Sequence, residues 1–178
     1  PRSKNTLTTI KNQFQTGTCW AFAALSCTES NLIQKGLENQ NVQFSVPSLV
    51  LSTYANGGFD ESIWDCGGTW MDSSLAMAAH RGLCCDEYEP FVSDGTEATI
   101  VSEEKKGICE YQLNYASTIT GGRNAIKNKI KELGGVMVSY YADDLYMTFD
   151  NKSYYDPETT KYSGINHAVS VVAVSYTH

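Results

Sequence analysis

The residues of this sequence that could do chemistry lie near its two ends. Cys19 precedes a tryptophan, at the point where a small-residue stretch gives way to an amphipathic run. His167 lies 148 positions further on and opens a run of alternating apolar residues. The thiolate is the reactive form of cysteine, and both a helix N-terminus and a nearby imidazolium stabilise it. The pattern indicates a nucleophile and its base, provided that the fold brings Cys19 and His167 together.

Periodic patterns predict the elements that would hold these two residues. Small and apolar residues at helical spacing predict a first helix over about 18–35, ended by Gly36. A second helix is predicted to run to about residue 54, with Ser45 as its N-cap and Pro47 in its first turn. Cys19 would therefore lie at a helix start, and the residues before it would form an extended lead-in.

The remaining patterns predict that strands become more frequent in the second half of the chain. The predicted elements are a third helix over about 70–80, a loop-like stretch over 84–108, a fourth helix over 123–133, a strand over 136–142, a tyrosine-rich connection over 146–164 and a strand over 166–176. The sequence thus predicts an α+β protein, with a mainly helical lobe over 1–108 and a β-rich lobe over 109–178.

Composition excludes some classes of function. The chain has 178 residues and a formal net charge of −7, which argues against a nucleic-acid binder with a basic face. No apolar run approaches the ~18 residues of a membrane span. The chain opens at Pro1 without a methionine, which suggests a mature product, an excised domain or a fragment. The six cysteines form no CxxC pair and the three histidines are scattered, so no metal site is predicted.

Each candidate residue also has a simpler interpretation when it is taken alone. An isolated cysteine in an apolar run is more often buried and inert, and we expect that state for Cys27. Gln13 alone would be a surface glutamine.

The residues around Cys19 favour a reactive cysteine over an inert one. The segment KNQFQTGTCWAF resembles the active-site segment of papain-like cysteine proteases, in which Lys-Asn-Gln and a short loop precede Cys-Trp-Ala-Phe. The family histidine lies about 130–150 residues downstream, and His167 is followed by Ala-Val as in the family. The resemblance implies a papain-like two-lobed fold, helical first and antiparallel β-rich second. It leaves open whether the β-rich lobe is complete within this chain.

The resemblance also implies roles for individual residues. Cys19 is similar to the nucleophile that forms a thioester, and His167 to the base that later protonates the leaving amine. Gln13 occupies the place of the glutamine that donates to the oxyanion together with the Cys19 N–H. Gly67 and Gly68 resemble the family's substrate-binding glycines, although an ordinary turn is the alternative. Further residues near positions that line the main specificity pocket are Trp70, Met71, Ser139 and Ala168, and core packing explains Met71 equally well.

The sequence departs from the family pattern in its cysteines. The family cysteine three residues before the nucleophile is replaced by Thr16, so the usual disulfide there is expected to be absent. Cys109 resembles a second family cysteine, but the place of its usual partner, near Ser52, is not a cysteine. If Cys109 is paired, Cys84 or Cys85 is the expected partner.

A second departure concerns the support of the histidine. The family has an asparagine after the histidine strand that orients the imidazole, and no asparagine follows His167 here. Asn166 is adjacent, but a strand would point it to the opposite face. The natural protein would then continue, a separate chain would supply the rest, or a shortened form would have a weakened site.

These residues predict a cysteine-type peptidase that hydrolyses peptide bonds without a cofactor. The alternative is a catalytically weak or inactive papain-fold module that binds peptides, and acyl transfer to an amine would use the same residues. The resemblance further implies a peptide or protein substrate, a zymogen propeptide or protein inhibitor as partner, and a secreted, lysosomal or vacuolar location.

Overall fold

The computed structural model describes residues 6–14, 16–54, 83–84, 92–93, 98–99, 109–142, 147–148, 153–154 and 164–173. The helices in these ranges are α1 (Cys19–Gln34), α2 (Val46–Tyr54) and α3 (Arg123–Leu133). The strands are β1 (Leu83–Cys84), β2 (Val92–Ser93), β3 (Ala98–Thr99), β4 (Cys109–Tyr111), β5 (Val136–Tyr140), β6 (Met147–Thr148), β7 (Ser153–Tyr154) and β8 (His167–Val171).

Helix α1 is the element around which the others pack. It contacts α2, α3, β5 and β8. Its alanines at 21, 23 and 24 are buried and leave room for close neighbours, while Trp20 and Leu25 are only 2% exposed. The same core includes Phe44 before α2 and Ala168 in β8. Burial of this apolar surface, at roughly 25 cal/mol per Å², fixes the orientation of the helix that begins at Cys19.

Strands β5 and β8 form an antiparallel pair that positions the histidine. The register pairs Val136 with Val171 at one end and Tyr140 with His167 at the other. Three further antiparallel pairs join β1 to β4, β2 to β3 and β6 to β7. In the first of these, the backbone register places Cys84 opposite Cys109.

The predicted helices agree with the structure where it describes them. The first, second and fourth were predicted over 18–35, 45–54 and 123–133, and the expected cap of α2 is present because Ser45 Oγ accepts from the Ser48 N–H at 3.1 Å. The third lies outside the described residues. The division of the chain at residue 108 stays a prediction.

The stretches 84–108 and 146–164 differ from prediction. They were predicted as loop and polar connection, but they contain the two-residue strands β2, β3, β6 and β7. Two residues are too few for the alternation by which a strand is read from sequence.

The structure adds two negative findings about the described ranges. They hold no helix long and apolar enough to cross a membrane. They also hold no cluster of three or more histidine, cysteine, aspartate or glutamate side chains that could bind a metal ion.

The end of α3 is joined tightly to α1. Gly134 has φ = 99°, a conformation that residues with a Cβ rarely adopt. A Cβ added there would lie 2.5 Å from Ser30 Oγ and 2.7 Å from the Ser30 carbonyl oxygen. One of the last carbonyls of α3, that of Leu133, accepts from Asn31 Nδ2 of α1 at 2.9 Å. Gly134 therefore permits both the turn into β5 and the close contact with α1.

We expect Gly134→Ala to lower the free energy of unfolding by about 2–3 kcal/mol, because the new methyl group adds steric overlap to an unfavourable φ. Urea unfolding followed by circular dichroism would measure it. Gly36→Ala is the matched control: Gly36 has φ = 70° but no atom within 4 Å of an added Cβ. An equal loss in both variants would show that overlap with Ser30 contributes nothing.

Candidate active site

Cys19 is the first residue of α1 and a free, half-buried thiol. The first turn of α1 contains no acidic side chain. The first N–H groups of a helix have no intrahelical partner and carry a partial positive charge. A thiolate at Cys19 would therefore be stabilised by its own helix without a competing carboxylate in that turn.

Hydrogen bonds fix the loop that leads into Cys19. Gln13 Nε2 donates to the Thr16 carbonyl at 2.8 Å, and Thr16 Oγ1 donates to the Gln13 carbonyl at 2.7 Å. The hydroxyls of Thr16 and Thr18 lie 2.6 Å apart. Since the Thr16 hydrogen is used on Gln13, Thr18 must donate to Thr16. Thr16, which the resemblance equates with a family cysteine, thus connects the loop through hydrogen bonds.

The Gln13 side chain is oriented by its bond to Thr16. A carbonyl oxygen only accepts, so the atom that faces it must be the amide nitrogen. An amide nitrogen carries two hydrogens, and the bond to Thr16 uses one of them. Gln13 is thus held just before Cys19 with a second donor hydrogen on the same atom.

The backbone beside Gln13 is strained. Phe14 has φ = 52°, which is unusual for a bulky residue. Its N–H donates to Asn12 Oδ1 at 2.7 Å, and this local bond supports the turn. Strain of this kind persists where surrounding contacts determine the conformation.

A buried carboxylate connects this segment to α1. Glu29 is 1% exposed. Its Oε1 accepts from Lys11 Nζ at 2.8 Å and from the Phe44 N–H at 2.9 Å, and its Oε2 accepts from Thr8 Oγ1 at 2.8 Å. The lead-in that carries Gln13 is therefore fastened to the same helix that carries Cys19.

His167 begins β8 and packs against Tyr140, the last residue of β5. The ring centroids are 5.6 Å apart and the ring planes meet at 70°, an edge-to-face arrangement. Burial lowers the pKa of His167 below its ordinary value, which favours the neutral imidazole. Burial, and then the charge of a Cys19 thiolate, raise the pKa of the Tyr140 phenol. Tyr140 thus contacts His167 and lies within electrostatic range of Cys19.

Asn166 fixes the backbone at the start of β8. Its Oδ1 accepts from the Ala142 N–H at 2.6 Å, its Nδ2 donates to the Ala142 carbonyl at 2.9 Å, and its own N–H donates to the Tyr140 carbonyl at 3.3 Å. These bonds extend the pairing of β5 with β8 by one step. The amide is used on the backbone of β5 and so holds the strand that carries His167.

The predicted substrate-binding residues are only partly described. Ser139 and Ala168 are paired across β5 and β8; Ser139 is half-buried, whereas Ala168 is 8% exposed and belongs to the core. A core position leaves Ala168 little surface for a ligand. The other four predicted residues, Gly67, Gly68, Trp70 and Met71, lie outside the described residues.

Cys27 fits the prediction of an inert thiol. Its sulfur lies 3.1 Å from Ser170 Oγ, between α1 and β8, and burial raises its pKa to about 11. A thiol with this pKa is ionised at neutral pH to only about one part in 10⁴. Cys19 and Cys27 are thus two thiols of one helix in different environments.

Sequence reasoning missed two residues of this site, Glu29 and Tyr140, and the hydrogen bonds of a third, Thr16. Glu29 lies four residues after Leu25 and three before Leu32, on the apolar stripe of α1, and an acid on such a stripe signals a buried ion pair. Tyr140 could have been found only from the register of β5 against β8. Thr16 was noted as a replaced cysteine, but its hydrogen bonds to Gln13 and Thr18 were not foreseen.

Comparisons with known proteins identify the family of the chain. The family described as papain family cysteine protease matches residues 1–177. Cathepsin K from Mus musculus is 27% identical over 172 residues, which cover 96% of this chain and 49% of cathepsin K. Procathepsin L from Rattus norvegicus is 27% identical over 184 residues, which cover 98% of this chain and 49% of the relative.

A comparison with solved structures also finds a papain-like protein. The structure of digestive procathepsin L 3 from Tenebrio molitor larval midgut matches with a TM-score of 0.70 and 25% identity, over 96% of this chain and 52% of that one. This confirms the predicted α+β, papain-like fold. The chain spans about half the length of the curated relatives it matches. With a family match over nearly all of its residues, the chain belongs to the papain family of cysteine proteases.

Proposed function

We propose that this chain provides the nucleophile and base of a cysteine peptidase that hydrolyses peptide bonds through a thioester on Cys19. The observation that carries the proposal is that Cys19 begins α1 and His167 begins β8, and that these two elements pack directly against each other. Family membership and the cathepsin relatives support the same class of reaction.

The proposed reaction assigns roles to Cys19, His167 and Gln13. The neutral His167 ring takes the thiol proton, and the Cys19 sulfur bonds to the peptide carbonyl carbon. The resulting oxyanion accepts from the Cys19 N–H and from the second hydrogen of Gln13 Nε2. When the C–N bond breaks, the imidazolium returns its proton to the leaving amine. Water then attacks the thioester with His167 as base, which releases the carboxylic acid and regenerates the thiol.

Two local electrostatic effects act on the first step in opposite directions. Burial favours the uncharged His167 and therefore opposes the thiolate–imidazolium pair. The α1 N-terminus favours the thiolate and so offsets part of that cost. The raised pKa of Tyr140 keeps its phenol uncharged, so no second anion lies beside the thiolate.

The partners follow from the reaction and the relatives. We infer an extended peptide or protein segment as substrate, and Gly67, Gly68 and Ser139 as residues that bind it. We also infer a propeptide that keeps the enzyme inactive before processing, because two of the relatives are named procathepsins. A secreted or lysosomal location fits such a zymogen, and the proposed steps use no cofactor.

The proposal is tested by thiol labelling. We expect iodoacetamide to alkylate Cys19 at pH 6 about 10²-fold faster than free cysteine, because an ordinary thiol is well under 1% ionised there. Peptide mapping by mass spectrometry identifies the labelled residue, and a chloromethyl-ketone peptide should label the same sulfur. Cys27 is the internal control and should stay unlabelled while the protein is folded.

Product analysis separates the possible functions. Peptide cleavage that disappears in Cys19→Ala supports the hydrolase. Labelling of Cys19 no faster than free cysteine would contradict an activated pair. Peptide binding without cleavage, unchanged in Cys19→Ala, would instead indicate a binding module. Products extended by an added amine would indicate acyl transfer.

A further inference from the structure

A tyrosine from the neighbouring strand packs against His167. Tyr140 and His167 are direct partners in the β5–β8 register, each at the end of its strand. Their rings pack edge to face with centroids 5.6 Å apart. Such a contact restricts the rotation of both rings, since either ring can turn only by colliding with the other or by losing the contact.

The side chain of Asn166, next to His167 in sequence, uses its hydrogen bonds on the backbone and not on the His167 ring. Asn166 uses its oxygen and its nitrogen on the Ala142 backbone. The start of β8 is fixed in this way, and with it the Cα–Cβ direction of His167. Rotation of the imidazole about its side-chain bonds remains free of that constraint. A base must present a particular nitrogen to the thiol, so this rotation needs a restraint of its own.

We propose that Tyr140 is a positioning residue, whose ring holds the His167 imidazole in the orientation that serves Cys19. The inference deepens the proposed function and rests on it. Tyr140 acts through His167 and has no role on the substrate in this proposal. The contact that matters in this proposal is the packing of the two rings. A phenylalanine at position 140 should therefore preserve the function, and an aliphatic residue should not.

The charge state of Tyr140 is compatible with this role. Burial and the nearby Cys19 raise the pKa of the phenol, which therefore stays protonated wherever a peptidase of this kind would work. A phenolate at this place would oppose the Cys19 thiolate. The neutral ring adds contact area beside His167 without adding a charge.

Alkylation of Cys19 as a function of pH tests the proposal. We expect Tyr140→Phe to keep the wild-type rate with iodoacetamide at pH 6 within about threefold. We expect Tyr140→Leu to lower that rate about tenfold or more, with the reactive limb of the profile moved to higher pH, because a misplaced imidazole no longer supports the thiolate. Tyr115→Leu, at a tyrosine that is 79% exposed, is the control and should not change the profile.

A second readout reports on the ring itself. The imidazole of His167 is followed by NMR through its titration, and His167→Ala identifies its signal among the three histidines of the chain. Tyr140→Leu should change the chemical shift and the pKa of His167, whereas Tyr140→Phe should preserve the pKa. If Tyr140→Leu does not fold, Tyr140→Met, which keeps a long apolar side chain, takes its place.

The outcomes are distinct. An unchanged profile and an unchanged His167 signal in Tyr140→Leu would overturn the proposal, and so would a Tyr140→Phe variant as impaired as Tyr140→Leu, since the hydroxyl would then be responsible. Failure of the proposed function has a different signature: no peptide cleavage and no fast alkylation in the wild type. The NMR comparison would still show whether Tyr140 orients the ring.

Discussion

Replacing Glu29 by alanine is expected to lower the free energy of unfolding by about 3–5 kcal/mol. The carboxylate is 1% exposed and accepts three hydrogen bonds, from Lys11, Thr8 and the Phe44 N–H. Alanine would leave these donors without their acceptor and would open a cavity beside α1. The Phe44 N–H is the most costly of them, because it is buried and cannot turn to water.

Glu29→Gln separates charge from hydrogen bonding. The amide oxygen can still accept from Lys11 and Phe44, and the Thr8 hydroxyl can rotate to accept from the amide nitrogen. We therefore expect a smaller loss than for alanine, about 1–2 kcal/mol, from the lost charge of the acceptor. Urea unfolding gives both values.

The control is a glutamate with a similar partner but a different environment. Glu132 forms an ion pair with Lys129 at 2.8 Å, and its side chain is 59% exposed. Glu132→Gln should cost no more than about 0.5 kcal/mol. Equal losses at Glu29 and Glu132 would contradict the view that burial makes the first pair important.

Glu29→Ala should also impair the active site. Lys11 and Thr8 lie on the lead-in that carries Gln13, so Glu29→Ala loosens the segment that ends at Cys19. Cleavage at a temperature where the variant remains folded should fall more than the folded fraction does. If cleavage falls only as much as the folded fraction does, Glu29 contributes to stability and not to the active site.

Local patterns predicted the position of Cys19 because each signal lies within a few residues of its effect. The small-residue stretch, the helical spacing of α1 and the cap at Ser45 are all of this kind, and the structure bears them out. The resemblance singled out His167 as the expected partner of Cys19, which no local pattern near Cys19 could name. Glu29 shows the limit: its place on the apolar stripe of α1 could have indicated a buried acid, but nothing in the sequence identifies Lys11 as its partner.

The contacts around His167 depend on a register that the sequence does not contain. Strand patterns were evident at 136–142 and 166–176, but either strand could have been shifted by two residues without changing which face is apolar. Only the observed register places Tyr140 beside His167 and Ala142 beside Asn166.

The second large effect is expected at Gln13. If its amide donates to the oxyanion, Gln13→Ala should lower kcat by about 10²–10³, with a much smaller change in KM. The oxyanion exists only after the sulfur has attacked, so its loss raises the barrier and leaves binding of the substrate nearly unchanged. Gln13→Glu should be at least as impaired, because a carboxylate cannot donate and would repel the developing charge.

A comparison of two reactions isolates this role. Alkylation by iodoacetamide displaces iodide and creates no oxyanion, so Gln13→Ala should retain the wild-type alkylation rate while peptide cleavage is lost. Gln34→Ala is the matched control, since Gln34 Nε2 also donates to a backbone carbonyl, that of Lys131 at 3.0 Å, but at the far end of α1. Parallel loss of alkylation and cleavage in Gln13→Ala would show that Gln13 acts by holding the loop through Thr16. Loss of cleavage with normal alkylation would show that the second hydrogen of Gln13 Nε2 donates to the oxyanion in the transition state.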